Sequence, residues 1–259
     1  MNLLTGISCR ALVYDILQSF DTPCSVKNLI VIGEAIGFST GVIRATLHDL
    51  QKENLIHSPR RSFYDINHDI FADQYEWIIK KHHFIDDWPD NFLAISYLST
   101  PRHNQTLQKK RIEALTVFGF IEYEKNFFIR PNNLKTTVRQ LQHRLGSIEP
   151  ERPPKIFLTQ FFSPEYEQLL EQLALHSIHQ KYCDVPPVLC RWIAHADHKP
   201  CGVAAKEVFL MSRQILNLFY IDPLLPTPLV SEWDQKHFIE STQRFLMYKN
   251  NLWKKMAIH

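Results

Sequence analysis

The sequence predicts an α+β protein, and three observations carry that prediction. Up to about residue 70, three helical periodicities are followed by two short apolar runs around a basic tip. Residues 71 to 162 alternate strand-like and helix-like stretches in the order βαββαβ. From residue 163 to 259 the pattern is mostly helical and broken by prolines. A chain of 259 residues, 45% hydrophobic and 22% charged, is long enough to bury two or three cores, so the expected domains are 1–70, 71–162 and 163–259.

In the first domain, Ile7, Leu12, Ile16 and Phe20 fall on or near one side of a helix that Asp21, Thr22 and Pro23 end. Ser25 is a suitable N-cap for a second helix carrying Leu29, Ile32 and Ile36, which stops at Gly37. Ser39 or Thr40 caps a third helix reaching Asn54, where Ile43, Leu47 and Leu50 at i, i+4 and i+7 form one buried stripe. Leu55 and Ile56 begin a strand, residues 58–62 form a polar, basic tip, and Phe63, Tyr64 and Ile66 return. Three helices and a hairpin, with a glycine-containing turn between helices two and three, predict a winged helix-turn-helix.

The middle stretch reads as a strand at 92–98, a helix at 104–118, a hairpin at 120–129 turning near Lys125 and Asn126, a helix at 134–145 and a strand at 156–162. That order predicts a ferredoxin-like domain, with 147–154 as a loop inside it. The C-terminal domain opens with Ser163, Pro164 and Glu165 ahead of a helix carrying Tyr166, Leu169, Leu170 and Leu173. Pro186 and Pro187 are expected to interrupt the chain, and the proline-broken stretch FYIDPLLPTPLVSEW precedes a final helix rich in Phe, Leu and Trp.

With the stripe of the third helix turned inward, its opposite face holds Gly41, Ala45, His48 and Lys52, flanked by Arg44 and Asp49. Gly41 and Ala45 are small enough for entry into a major groove, Ala45 suits a thymine methyl, and Arg44 or His48 reaches base edges or phosphates. Arg60 and Arg61 at the hairpin tip suit phosphate or minor-groove contact, and Tyr64 adds a phosphate hydrogen bond. The candidate contacts to double-stranded DNA are therefore Ser39, Thr40, Gly41, Arg44, Ala45, His48 and Lys52 with Arg60, Arg61 and Tyr64. Asp49 at the edge of this face pairs with a neighbouring basic residue or accepts from a cytosine amino group. Basic side chains up to Ile66 are matched in number by acidic ones, so a single module binds DNA weakly and a homodimer on a two-part operator is expected.

Other chemistry finds little support. Cys183, Cys190, His195, His198 and Cys201 lack a Cys-x-x-Cys pair and a standard zinc spacing, so no metal is expected, only buried cysteines beside a solvated His-rich loop. His82 and His83 are adjacent and point apart, and Asp86 and Asp87 read as surface charge. No nucleophile elbow, Gly-rich phosphate loop or His-Glu-x-x-His occurs, and 7 glycines leave few places for a nucleotide-cradling loop, so neither an enzyme nor a cofactor is expected. The alternatives are a metal-dependent nuclease built on the middle domain, whose first strand ends at 96–100 without a carboxylate, and a DNA-binding protein without an effector. No apolar run approaches the length of a membrane span, the start lacks a basic n-region, and an odd count of 5 cysteines suits a reducing compartment, so a cytoplasmic location is expected.

Several stretches together resemble one family. FSTGVIRATLHDLQKENLI with PRRSFYDI, then WPDNFLAI, RIEALTVFGFIE and FFIRP, and finally DPLLPTPLVSEW are similar to the PaaX family of bacterial repressors of phenylacetic acid degradation. The helix-turn-helix part is generic, whereas the DPLLP motif with its following Trp is the more specific piece. The resemblance implies a dimeric repressor that leaves its operator when an aryl-CoA thioester such as phenylacetyl-CoA binds. By position it assigns Arg44 to the recognition helix, Arg60, Arg61 and Tyr64 to the wing, and Asp222, Pro223, Leu225, Pro226 and Trp233 to the C-terminal signature. Asp49 stands where the family commonly has Arg.

Prolines 223, 226 and 228 fix the backbone and Trp233 is suited to fill a core, so this signature is expected to be a packing corner. A CoA site needs basic groups for phosphates and an apolar slot for the acyl part. Arg111, Arg130, Arg191 and Arg213 are the candidates beside apolar segments.

Overall fold

The computed structural model describes residues 8–67, 88–97, 105–134, 137–148, 153–176, 179–223, 225–227 and 229–258. His82, His83, Asp86, Asp87 and Pro228 lie outside the described residues. Helices and two small antiparallel sheets make an α+β fold. Contacts divide the chain into two compact units, each built from separated stretches. One comprises 1–76, 185–216 and 239–259, the other 77–184 and 217–238.

The first unit begins with α1 (Cys9–Gln18), β1 (Cys24–Ser25), α2 (Val26–Ile36) and α3 (Thr40–Lys52), followed by β2 (Ile56–Arg60) and β3 (Phe63–Ile66). Ser25 caps α2 by accepting from the Asn28 amide at 3.2 Å, and Gly37 ends it in the left-handed region at φ 113°. Leu12 and Ile16 of α1, Leu29, Ile32 and Ile36 of α2, and Ile43, Leu47 and Leu50 of α3 are all buried in one core. A Cβ on Gly33 would lie 2.4 Å from Ile43 Cδ1, so a larger residue there would require the Ile43 side chain to shift where α2 meets α3.

The sheet order is β1-β3-β2. The two-residue strand β1, which pairs Cys24 with Tyr64 and Ser25 with Phe63, has no sequence signal because it is too short to show alternation. β2 runs further than expected, through Pro59 to Arg60, with a register shift between His57 and Arg60, so the tip is narrowed to Arg61 and Ser62. Pro59 lacks the N–H a regular ladder would need, which fits its place in the irregular stretch.

The second unit holds β4 (Phe92–Ser96), α4 (Gln105–Val117), β5 (Ile121–Glu124), β6 (Phe127–Pro131), α5 (Val138–Gly146) and β7 (Lys155–Thr159). These strands form an antiparallel sheet in the order β5-β6-β4-β7. Leu93 and Ile95 of β4 face a core with Leu115, Leu141 and Leu145 from the two helices. Thr137 and Gln140 form a reciprocal capping box that starts α5.

α4 ends at Gly119, with φ 70°. A Cβ there would sit 2.7 Å from the Pro223 carbonyl oxygen and 2.9 Å from Arg130 Nη1. Gly119→Ala is therefore expected to lose at least about 2 kcal/mol, from the left-handed backbone and the backbone clash together, as read by denaturant unfolding. A loss below about 0.5 kcal/mol, the level of an ordinary surface change, would count against this packing.

The remaining helices are α6 (Glu165–His176), α7 (His179–Ala196), α8 (Cys201–Ile221) and α9 (Glu232–Ile258). Among the described residues no helix is long and apolar enough to cross a membrane. The sequence expectations fail at three points here. Pro186 and Pro187 do not break the chain but lie inside α7, where Tyr182, Pro186 and Leu189 make a buried i, i+4, i+7 stripe that outweighs the missing backbone hydrogen bonds. Cys183 and Cys190, one position off that stripe, are exposed rather than buried. Trp233 is 70% exposed and stacks on His237 at 5.1 Å, because it lies five positions, about 140° around the helix, from the fully buried Phe238. Among the described residues, the tryptophan that fills a core is Trp253.

Candidate nucleic-acid interface

Ser39 starts α3 by accepting from the Val42 amide at 3.4 Å, and the turn from Gly37 to Ser39 separates this helix from α2. Burying Ile43, Leu47 and Leu50 leaves Gly41, Arg44, Ala45, His48 and Lys52 exposed. Ser39 is exposed as well. Thr40 is half-buried and its hydroxyl donates to Glu34 Oε1 at 2.5 Å, which leaves that side chain committed to the protein. Asp49 stands beside His48, with Nδ1 and Oδ1 3.6 Å apart and both side chains exposed.

At the hairpin, Arg60 and Arg61 are exposed and Tyr64 is half-buried on β3. The Arg60 guanidinium lies 3.7 Å from the centroid of the Phe63 ring, which supports the cation while leaving its N–H edges to the solvent. Among the described residues, no ion pair involves Arg44, Lys52, Arg60 or Arg61. The acidic neighbour Glu53 is instead held by Arg10 through two bonds of 2.8 and 2.6 Å, which draws its carboxyl below the usual value. Lys52 in the last turn of α3 also suits the negative end of the helix dipole.

The four arginines proposed for an effector separate. Arg111 and Arg130 belong to one unit, Arg191 and Arg213 to the other. Arg111 is buried, with its guanidinium 4.3 Å from the centroid of the Tyr97 ring. Arg130 is fully buried, and it donates to the backbone carbonyls of Phe118, Pro131 and Pro223 and to Asn133 Oδ1. Burial pulls its pKa down to about 9, a shift that the Asp222 carboxylate opposes. Both guanidiniums are thus out of reach of a phosphate. Arg191 and Arg213 are exposed.

Asp222 itself is buried and accepts the Tyr182 phenol proton, with Oη 2.8 Å from each carboxylate oxygen. Burial, and then Asp222, push that phenol well above its usual range. Gly119, Arg130, Asp222 and Pro223 come from three separated stretches, and they meet in one polar knot inside the second unit. A signal for it exists in the sequence: an arginine and an aspartate each embedded in a strongly apolar run.

Among the described residues, no group of three or more His, Cys, Asp or Glu side chains converges as a metal would require. Cys183, Cys190 and Cys201 are free and exposed, and His195 Nδ1 lies 2.8 Å from the Arg191 carbonyl.

The described elements define a helix-rich α+β protein with two small antiparallel sheets and an exposed helix-and-hairpin face. In fold it is similar to the uncharacterized protein Rv0674 from Mycobacterium tuberculosis, with a TM-score of 0.69 and 15% identity over 97% of this chain and 99% of that one. No protein-family model matches the sequence, and no curated protein does.

Proposed function

We propose that this protein is a DNA-binding transcriptional regulator, a repressor whose first unit carries a winged helix-turn-helix. The observation that carries this reading is the exposed face of Gly41, Arg44, Ala45 and His48 on α3 together with the exposed Arg60 at the end of β2 and Arg61 at the hairpin tip. Small residues on the crown of a helix admit it to a groove, and arginines at a tip fix its register on phosphates. The order β4-α4-β5-β6-α5-β7 with strands arranged β5-β6-β4-β7 supports a ferredoxin-like reading of the second unit. The repressor acts as a homodimer in the cytoplasm, and an acyl- or aryl-CoA thioester releases it by binding the DNA-incompetent arrangement more tightly.

The test is selection of a binding site from a genomic DNA library, followed by titration over a salt range. Arg60→Ala with Arg61→Ala is expected to weaken binding and to lower the slope of log K against log salt by about 2, near 0.9 per lost phosphate contact. Unchanged affinity and slope would remove the hairpin from the interface. Repeating the incubation with Mg²⁺ or Mn²⁺ separates the nuclease alternative, which demands cleavage of the DNA.

A further inference from the structure

Within the first unit a cleft of about 390 Å³ opens beside α2, between the α7–α8 turn and the C-terminal part of α9. Its volume lies in the range of small-molecule pockets, roughly 300–1,000 Å³. Val31 and Ala35 of α2, Ala196 and Ala204, and Leu252 and Met256 of α9 give it an apolar wall. Space exists there because alanine stands at three of these positions. At the narrow side, a Cβ on Gly202 would be 3.2 Å from the Ala35 carbonyl oxygen, so α8 begins directly against α2.

The formal charges at the mouth balance, and one of its two ammonium groups is free of an ion pair among the described residues. Lys199 is held by Glu207 at 2.6 Å, and Asp197 accepts from the Tyr248 phenol at 3.1 Å. Lys255 lines the same cleft, is exposed, and has no ion pair among the described residues. An apolar slot with one uncommitted ammonium selects an apolar body that carries negative charge at one end.

The position of the cleft gives it a route to α3. Val31 and Ala35 look into it, while Gly33 on the same helix packs against the buried Ile43 side chain of α3. A ligand that wedges against α2 therefore shifts α3, since close-packed helices transmit displacement rather than absorb it.

We infer that this cleft is a binding site for an apolar acyl group with an anionic head, either a free aromatic or medium-chain carboxylate or a thioester whose phosphates remain at the mouth beside Lys255. Its effect on DNA rests on the regulator reading above; the binding does not.

Cys201 lines the cleft, so its alkylation reports occupancy in the unmodified protein. Cys190 is an exposed reference away from the cleft, whereas Cys9 and Cys24 are buried, with burial raising both thiols and taking Cys24 to about 12. Octanoate, phenylacetate, phenylacetyl-CoA and free CoA are the probes. An acyl-bearing probe is expected to slow Cys201 labelling by about tenfold when present at tenfold its Kd, as mass action requires, with Cys190 unchanged and free CoA inert. Slowing by the carboxylates identifies free acid, and slowing by the thioester alone identifies the thioester. Ala204→Phe, which fills the cleft, is expected to abolish calorimetric binding of the active probe, and Lys255→Glu to weaken it. Equal labelling of Cys201 with and without every probe would overturn the proposal, as would undiminished binding to Ala204→Phe. Protection of Cys201 in a protein that selects no DNA would sink the regulator reading and leave the site standing.

Discussion

Replacing Asp222 with alanine is expected to destabilise the second unit by about 3–5 kcal/mol, the loss typical of breaking a buried charged pair from one side. Arg130 is fully buried, and the Asp222 carboxylate adds its charge to the four acceptors that offset the cost of holding the cation there. The same substitution takes the acceptor from the Tyr182 phenol, which is also buried. Asp222→Asn keeps an acceptor but removes the charge, so its loss is expected to fall between alanine and wild type. Hydrogen exchange at β4 and β6, with urea unfolding, measures the effect. A change below about 1 kcal/mol, the net value of an ordinary hydrogen bond, would show that the knot does not depend on its charge.

Asp15→Ala is expected to have an effect of the same order in the first unit, about 3–5 kcal/mol. Asp15 lies on α1, is 3% exposed, and accepts from Lys249 Nζ and, at 3.0 Å, from Trp253 Nε1. Its removal leaves the Lys249 ammonium in a site where only 5% of the residue is exposed. Adding Lys249→Met is expected to recover much of the loss, because apolar replacement of a buried pair is often neutral or better. If the double variant is no more stable than Asp15→Ala, burial of the lysine charge is not the cause. Trp253 fluorescence follows both transitions.

The parts of the fold that were legible in the sequence are those with local signals. Ile43, Leu47 and Leu50 announce α3 by their spacing, Ser25 and Gly37 bracket α2, and the alternation around Lys125 and Asn126 marks the β5–β6 turn. The exposed face of α3 follows directly from its stripe, so Arg44, Ala45 and His48 were legible too. What escaped depends on partners distant in sequence. Asp15 reads as an ordinary surface acid of an amphipathic helix until Lys249 and Trp253 are placed against it. Arg130 and Arg111 look like available cations, because composition cannot distinguish a guanidinium that binds ligand from one that closes a helix end or stacks on a tyrosine. Trp233 misleads in the opposite sense, since a large aromatic is assigned to a core by size alone, whereas the helical phase of α9 turns it to solvent. Pro186 and Pro187 show a local rule losing to burial of the stripe around them.

The pairing of Asp15 with Lys249 also bears on the order in which the protein can be made. The two residues are separated by 234 positions. At about 5–20 residues per second, the ribosome delivers Lys249 roughly 10–50 s after Asp15. For that interval α1 and its aspartate exist without the helix that neutralises them. The core of α1, α2 and α3 therefore reaches its final packing only after α9 has been made, and until then the nascent chain carries the exposed face of α3 on an incomplete foundation. A shortened chain that stops before α9 keeps every residue of that face and still lacks the groups on which α1 rests.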